Sequence, residues 1–174
     1  VCGIAVYNSV FNITSARQNN SIVFIFLGVS YTFTIPDGYY SISDLNYFLQ
    51  SQFILNGLYL TANDGSDNVY FAEILINTVR YSTSLNFYVI PTESDALAQG
   101  YSKPANSTWS YPVSQRTPSI TFSSIFGELI GQEAGTYPPV NTTLNIQYLS
   151  TKTPVISPID SLILCCNLVY SSYS

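Results

Sequence analysis

Hydrophobic and polar residues alternate along several short segments of this chain, which is the pattern of β-strands that bury one face. From Val29 to Ile35 the odd positions are Val, Tyr, Phe and Ile, and the even positions are Ser or Thr. The preceding run, Ile22 to Leu27, is continuously apolar and is typical of a strand buried on both faces. The two segments predict a hairpin around Gly28. Further strands are predicted at Ile4 to Ser9, Val10 to Ser15, Leu58 to Ala62, Val69 to Ile76, Leu85 to Ile90, Ser119 to Ser123, Leu144 to Tyr148 and Ser161 to Tyr170.

A helix is predicted after this hairpin. Residues 36–38 are Pro-Asp-Gly, and they end the strand because proline cannot donate to a β-ladder and glycine tolerates a positive φ. We expect Ser43 or Asp44 to cap the helix that follows, since either side chain accepts hydrogen bonds from free helical N–H groups. The helix is expected to run to about Asn56, with Gly57 at its C-cap.

The fold class follows from the order of these segments. Residues 91–118 show no sustained periodicity and are predicted to form a long loop, as are residues 131–139 with their paired prolines. A second short helix is predicted from Ser124 to Ile130. Short strands with two interposed helices describe a β-sandwich. We expect an all-β chain with one domain over residues 1–174, a single jelly roll of about eight antiparallel strands and two short helices.

The composition points to surfaces that other molecules cover. Charged residues make up only 9% of the chain, against roughly 25% in an average soluble domain, while 15% of the residues are aromatic. Buried interface cores lose charge and gain Tyr and Phe. A subunit enclosed by neighbours therefore explains the composition, and a neutral secreted β-domain is the alternative.

Two classes of partner are excluded by charge and hydropathy. The net charge is −5 and the five basic residues are scattered, so we expect no direct binding to nucleic acid. The longest apolar runs are far shorter than the roughly 20 residues of a spanning helix, so we expect no membrane span.

An enzyme is not predicted, because the chain contains no histidine. Serine or cysteine nucleophiles paired with histidine, and histidine metal sites, are therefore ruled out, and no cofactor or metal is expected. A pair of carboxylates, as in glycoside hydrolases, is still possible, although solvated surface carboxylates are the simpler interpretation. The candidates are Glu73, Glu93, Asp95, Glu128, Glu133 and Asp160.

Other motifs have a structural interpretation beside a functional one. The acidic segment Asn63 to Asn68 resembles a calcium loop but lacks the downstream glutamate, so a plain turn is favoured. Trp109, near Tyr111, is either a contact anchor at an interface or a ring that fixes the long loop. The Gly127-x-x-x-Gly131 segment lacks the lysine of a phosphate-binding loop. Glycosylation sequons begin at Asn12, Asn19, Asn106 and Asn141, and chance matches are expected in a chain this rich in Asn, Ser and Thr.

The cysteines favour a reducing compartment. There are three, Cys2, Cys165 and Cys166, and an odd number with two adjacent residues makes a poor disulfide framework. We interpret them as buried thiols that pack as small hydrophobic groups.

Several motifs, taken in their order, resemble the penton (minor capsid) proteins of virophages, Polintons and Polinton-like viruses. The resemblance extends from about Asn8 to Tyr170 and leaves residues 91–118 unmatched. The motifs are Asn19-Asn20, Ile35-Pro36-Asp37-Gly38-Tyr39-Tyr40-Ser41, Phe126-Gly127-Glu128-Leu129-Ile130-Gly131, Ala134-Gly135-Thr136-Tyr137-Pro138 and Ile159-Asp160-Ser161-Leu162-Ile163-Leu164-Cys165-Cys166-Asn167-Leu168-Val169.

The resemblance implies a structural capsid protein, a single jelly roll of which five copies surround an icosahedral five-fold vertex. The implied partners are the chain itself, as a homopentamer, together with major capsid capsomers and other minor capsid proteins. The implied location is the virion vertex, after assembly in the host cytoplasm or a virus factory. Family members often continue past the Asn-Leu-Val strand, so the chain is expected to be truncated at its C-terminus. The alternatives are a carbohydrate-binding jelly-roll module, a glycoside hydrolase on a sandwich, and a minor or cement capsid protein away from the five-fold axis.

Overall fold

The computed structural model describes residues 11–156. This range contains ten strands, all paired antiparallel, and three α-helices, so the chain is all-β as predicted. The strands are β1 (Ser21–Phe26), β2 (Val29–Thr34), β3 (Leu60–Ala62), β4 (Asn68–Val69), β5 (Ala72–Asn77), β6 (Ser82–Phe87), β7 (Tyr101–Ser102), β8 (Ser119–Phe122), β9 (Gly135–Tyr137) and β10 (Ile146–Leu149). The helices are α1 (Ile42–Asn56), α2 (Glu93–Ala98) and α3 (Ser124–Ile130), and a 3-10 turn spans Ser15–Arg17. The strands predicted at Ile4 to Ser9 and Ser161 to Tyr170, the first residue of Val10 to Ser15, and all three cysteines lie outside the described residues.

The described strands form two larger sheets and one small one. Sheet 1 has the order β2-β1-β8-β9, sheet 2 has the order β10-β6-β5, and sheet 3 has the order β4-β3-β7. Sheets 1 and 2 share one hydrophobic core, in which Phe24 and Phe122 of sheet 1 are buried together with Phe87 of sheet 2. The jelly-roll form of the sandwich stays a prediction.

Helix α1 closes one side of the sandwich. The ring of Phe53 lies 4.6 Å from that of Phe24 in β1 and 6.2 Å from that of Phe33 in β2. On its other side, the Asn46 side-chain oxygen accepts a 3.0 Å hydrogen bond from the backbone N–H of Ile74 in β5. Since β2 and β5 are edge strands of sheets 1 and 2, the helix lies between the two edges. We call α1 with these two edge strands the α1 flank.

The opposite side is formed by the other two edge strands, β9 and β10. The Tyr137 ring of β9 packs edge-on against the Tyr148 ring of β10, 5.2 Å between centroids, and stacks on Phe122 at 5.4 Å. Residues 138–145 connect the two strands and so cross from sheet 1 to sheet 2 on this side. We call β9, β10 and this connection the β9/β10 flank.

The predicted helix is confirmed, but its predicted cap is wrong. Ser41 is the N-cap: its hydroxyl accepts from the Asp44 N–H at 3.1 Å, while the Asp44 carboxylate accepts from the Ser41 N–H at 2.9 Å. In this reciprocal capping box the third helical residue, Asp44, bonds back to the backbone N–H of Ser41. The helix therefore begins at Ile42. The predicted C-cap, Gly57, is confirmed, with φ of 65°.

The predicted hairpin of β1 and β2 is also confirmed. Leu27 and Gly28 form its two-residue turn with φ of 51° and 86°, which suits the twist of the strands. The prediction that the first strand is buried on both faces is wrong. Ile22, Phe24 and Phe26 are buried, whereas the residues between them are half-buried.

Short elements were missed in both predicted loops. Residues 91–118 contain α2, capped by the Thr92 side chain, and β7, and Arg116 forms a β-bridge with Ile90. Residues 131–139 contain β9, which pairs with β8. Helices of six residues and strands of two or three are too short to produce a readable period. The described part of the chain therefore contains three α-helices where two were predicted.

Some strand boundaries were also shifted. The segment Val69 to Ile76 is divided between β4 and β5, and the strand predicted from Leu85 to Ile90 begins at Ser82 and ends at Phe87. Over residues 11–156, no helix has the length and apolar character needed to cross a bilayer.

Candidate functional site

Charged side chains lie on the turns and helices of the sandwich and are nearly absent from its strands. Among residues 11–156, Glu73 is the one charged residue inside a strand. Three long segments carry no charge at all, residues 18–36, 45–63 and 134–151. The first two contain β1, β2 and most of α1, and the third contains the whole β9/β10 flank. The two flanks of the sandwich are therefore electrically neutral over most of their length.

The outer face of α1 carries hydrophobic residues. Tyr47 is 69% exposed and Leu55 is 71% exposed, and Ile54 is exposed beside them. Their spacing places them on one side of the helix together with Ser51, opposite the buried residues Leu45, Leu49 and Phe53. A surface helix ordinarily presents charged residues on that side. The single charged residue of α1 is Asp44, in its first turn, so this face is suited to contact with another apolar surface.

The β9/β10 flank has the same character. Val140 and Leu144 in the connection are each 75% exposed, and Leu149 at the end of β10 is exposed as well. Tyr137 and Tyr148 on the same flank are half-buried. An edge strand also presents one row of backbone N–H and C=O groups outward. The flank thus offers both apolar side chains and a sheet edge.

The outer face of sheet 2 carries a polar row. Gln147, Asn86 and Glu73 are direct cross-strand partners on β10, β6 and β5. The Gln147 amide donates to the Asn86 side-chain oxygen at 2.9 Å, and the Tyr88 hydroxyl donates to the Glu73 carboxylate at 2.9 Å. Burial and the hydrogen bond to Glu73 raise the pKa of Tyr88. Amide, phenol and carboxylate groups of this kind bind hydroxyl groups, so the row is a second candidate surface.

A cavity of about 340 Å³ lies between α3 and the segment that follows β10. Ile125, Leu129 and Val155 form its apolar wall, and Asn12 lies in its lining. The Asn12 amide donates to the carbonyls of Tyr40 and Ile156, and its oxygen accepts from the Tyr40 N–H. Every buried side-chain nitrogen and oxygen in the described part of the chain has such a partner. The buried polar atoms beside the cavity are therefore hydrogen-bonded within the protein, and the charged residues Arg17, Glu128 and Lys152 complete its lining.

The carboxylates considered as a glycosidase pair are distributed over one strand, two helices and the segment after α3. Glu73 lies on β5, Glu93 and Asp95 on α2, and Glu128 on α3, while Asp160 is outside the described residues. Glu133, after α3, forms an exposed 2.7 Å ion pair with Lys152. Hydrogen bonds from Thr92 and Gln115 lower the pKa of Asp95, which is the opposite of what a general acid requires.

The acidic segment Asn63 to Asn68 forms a turn, as predicted. The Asp64 carboxylate accepts hydrogen bonds from the hydroxyl and the N–H of Ser66, at 2.6 and 2.9 Å, and these bonds lower the pKa of Asp64. Within residues 11–156, no three His, Cys, Asp or Glu side chains converge as metal ligands would.

Two of the four glycosylation sequons begin at buried asparagines. Asn12 and Asn19 are buried, and the Asn19 amide donates to the carbonyl of Asn12 at 2.8 Å. Asn106 and Asn141 are exposed, although the Asn106 amide donates to the carbonyl of Ile54. The first two sequons are therefore inaccessible in the folded chain.

Trp109 fixes the segment that follows α2. The side chain is 8% exposed, and its indole N–H donates to the carbonyl oxygen of Gly57 at 2.6 Å. The Lys103 ammonium lies 5.3 Å from the Trp109 ring and 5.2 Å from the Tyr111 ring, and donates to the Trp109 carbonyl. Of the two interpretations given by the sequence, the structure favours the ring that fixes the loop. The contact of Lys103 with the two rings was not predicted, because it depends on how the loop folds back on itself.

Comparisons of the chain with protein-family models, with curated proteins and with solved structures give no match. The exposed hydrophobic residues of the flanks were not predicted individually. Their signal in the sequence was the absence of charge around them.

Proposed function

We propose that this chain is a structural capsid protein, and that five copies form the penton at the icosahedral five-fold vertices of a virion. The observation that supports the proposal best is the neutrality of the two flanks, which carry exposed Tyr, Leu and Val side chains in place of charges. Patches of this kind on a soluble protein mark surfaces that a partner covers.

A closed ring needs two different surfaces on each subunit. Cyclic assemblies with more than two members use head-to-tail contacts, in which one face of a subunit meets another face of the next. A helix covers one flank of the sandwich, whereas edge strands and their connection form the other. The difference between the flanks supports a ring over a two-fold dimer.

The charged turns and short helices of the sandwich suit contacts outside the ring. We propose that they meet major capsid capsomers and other minor capsid proteins, because rim charges give orientation and specificity to such contacts. The virion vertex is the proposed location, the jelly roll is the proposed form of the sandwich, and neither nucleic acid nor a catalysed reaction is part of the proposal.

The proposal is tested by the oligomeric state of the full chain. Native mass spectrometry and light scattering are expected to detect a closed pentamer at micromolar concentration. A chain that stays monomeric over the whole accessible concentration range, also when mixed with major capsid capsomers, would contradict the proposal.

One observation supports a second candidate function, the binding of a glycan. The row of Gln147, Asn86 and Glu73, with the Tyr88 phenol, presents hydrogen-bonding groups to solvent across sheet 2. A glycan array probed with the wild type and with Asn86→Ala and Gln147→Ala would test it. Binding that both substitutions abolish in a monomeric chain would favour this function over the capsid proposal.

A further inference from the structure

We infer that the α1 flank of one copy of this chain docks on the β9/β10 flank of the next copy. The inference rests on the proposed ring and specifies which surfaces form its repeated contact. It assigns the outward residues of α1, chiefly Tyr47 and Leu55, to one side of the contact, and Leu144 and Leu149 to the other.

The first argument is position. Among the described strands, β2 and β9 are the two outermost strands of sheet 1, and β5 and β10 are the outermost strands of sheet 2. Helix α1 contacts β2 through Phe33 and β5 through Ile74, whereas Tyr137 and Tyr148 join β9 to β10. The two flanks are therefore on opposite sides of the same sandwich. A head-to-tail contact between identical copies uses two different surfaces on each copy, and these two flanks are such a pair.

The second argument is charge. Residues 18–36 and 45–63, which supply most of the α1 flank, and residues 134–151, which supply the β9/β10 flank, contain no charged residue. An uncharged apolar surface gains most from a partner that is also uncharged, because a facing charge would lose its hydration without gaining a counter-charge. A second copy of this chain provides such a partner in its opposite flank.

The third argument concerns the backbone of the edge strands. The Asn46 side chain already accepts the hydrogen bond of the Ile74 N–H in the edge strand β5, and α1 covers this edge. The α1 flank therefore presents side chains from a convex helix, whereas β9 and β10 end their sheets without a covering helix among the described residues. Two α1 flanks would meet as convex surfaces, so the opposite flank is the better complement.

The test introduces one carboxylate into each side of the contact. Leu55→Glu changes the α1 flank and Leu144→Glu changes the β9/β10 flank, and both side chains are more than two thirds exposed, so the fold tolerates the changes. Val113→Glu is the matched control, since Val113 is fully exposed in the segment between α2 and β8. Circular dichroism and thermal unfolding verify that each variant folds.

We expect Leu55→Glu and Leu144→Glu each to weaken ring formation by about 100-fold or more, because an unpaired carboxylate would be buried in the contact. We expect Val113→Glu to assemble as the wild type does. Mixing the two flank variants provides the decisive measurement. Each variant keeps one intact flank, so the mixture can form a single good contact and should give a one-to-one heterodimer in native mass spectrometry.

The outcomes separate this inference from the function on which it rests. A wild-type chain that forms no ring, either alone or mixed with major capsid capsomers, overturns both. If the wild type forms a pentamer and either flank variant assembles equally well, the docking inference is wrong and the capsid proposal survives. If both variants are monomeric and their mixture stays monomeric, Leu55 and Leu144 do not face each other across one contact, and the inference is again wrong.

Discussion

The indole N–H of Trp109 donates a hydrogen bond to the carbonyl oxygen of Gly57, at 2.6 Å, and so joins the end of α1 to a segment more than fifty residues further along the chain. The Trp109 ring also packs edge-on against Phe26 of β1, at 5.2 Å between centroids. Because both the ring and the hydrogen bond are buried, this one side chain links helix, sheet and loop.

We expect Trp109→Phe to lower the free energy of unfolding by about 1–3 kcal/mol, since it keeps most of the ring but leaves the buried Gly57 carbonyl without its donor. Trp109→Ala removes the ring as well and should cost about 3–5 kcal/mol. Urea unfolding followed by circular dichroism measures both. Tyr81→Phe, at an exposed turn, is the control and should change stability by less than about 0.5 kcal/mol. Equal stability of Trp109→Ala and the wild type would show that the contact is unimportant.

Gly57 has a second role, since the chain passes it closely. A Cβ at this position would lie 2.7 Å from the Ser107 Cα and 2.9 Å from the Asn106 backbone. Gly65 has a similar positive φ, but a Cβ there would meet no atom within 4 Å.

We therefore expect Gly57→Ala to be clearly more destabilising than Gly65→Ala. Both substitutions incur the strain of a positive φ, about 1 kcal/mol, and only Gly57→Ala adds a clash with backbone. Thermal unfolding of the two variants compares them directly. Equal losses of stability would mean that the segment near Ser107 moves aside without cost.

Asn46 connects α1 to the edge of sheet 2. Its side-chain oxygen accepts from the Ile74 N–H, and the pair is buried. Asn46→Ala leaves that N–H without a partner and should lower the free energy of unfolding by about 1–3 kcal/mol. Asn56→Ala is the control, since the Asn56 amide donates only to the Gln52 carbonyl within the same helix. It should lower the free energy of unfolding by less. Hydrogen exchange of the Ile74 amide should accelerate only in the first variant, and an unchanged rate would contradict the assignment.

The sequence predicted the elements whose patterns are long enough to count. The hairpin of β1 and β2 could be predicted because the residues before Gly28 are continuously apolar and those after it alternate between hydrophobic and polar. The end of α1 was readable because Gly57 is both a C-cap and the first break after a helical run. The predicted cap was two or three residues too late, since Ser41, Ser43 and Asp44 all have capping side chains and only the reciprocal hydrogen bonds distinguish them.

Tertiary contacts decided what the sequence could not. Strand β9 has three residues and exists because β8 offers it an edge, which no local pattern records. The low fraction of charged residues predicted neutral surfaces. Which of the hydrophobic residues are buried and which are exposed depends on how α1 packs. Phe53 and Leu55 are both hydrophobic and two residues apart, yet one contacts Phe24 and the other faces solvent.

The capping box should make stability depend on pH at the acidic end. Hydrogen bonds from the Ser41 hydroxyl and N–H lower the pKa of Asp44 below its unfolded value. A carboxylate with a lowered pKa stabilises the folded chain at pH values above the unfolded pKa, which is about 3.9 for Asp. This stabilisation is lost as the pH falls through the folded pKa. We expect Asp44→Asn to reduce this acid-side loss, measured as the melting temperature between pH 6 and pH 2. Glu128→Gln, which removes a surface charge from α3, is the control; an identical acid profile for both variants would contradict the role of the box.

Assembly of the proposed ring should be insensitive to salt. Contacts between charged surfaces weaken as salt shortens the screening length from about 10 Å at 0.1 M to about 3 Å at 1 M, whereas apolar contacts do not. Since residues 45–63 and 134–151 carry no charge, the contact between flanks has little for salt to screen. We expect the pentamer fraction in sedimentation velocity to stay the same or rise between 0.05 M and 1 M NaCl. Dissociation in high salt would show that ion pairs, for instance at the exposed Glu133 and Lys152, hold the subunits together instead.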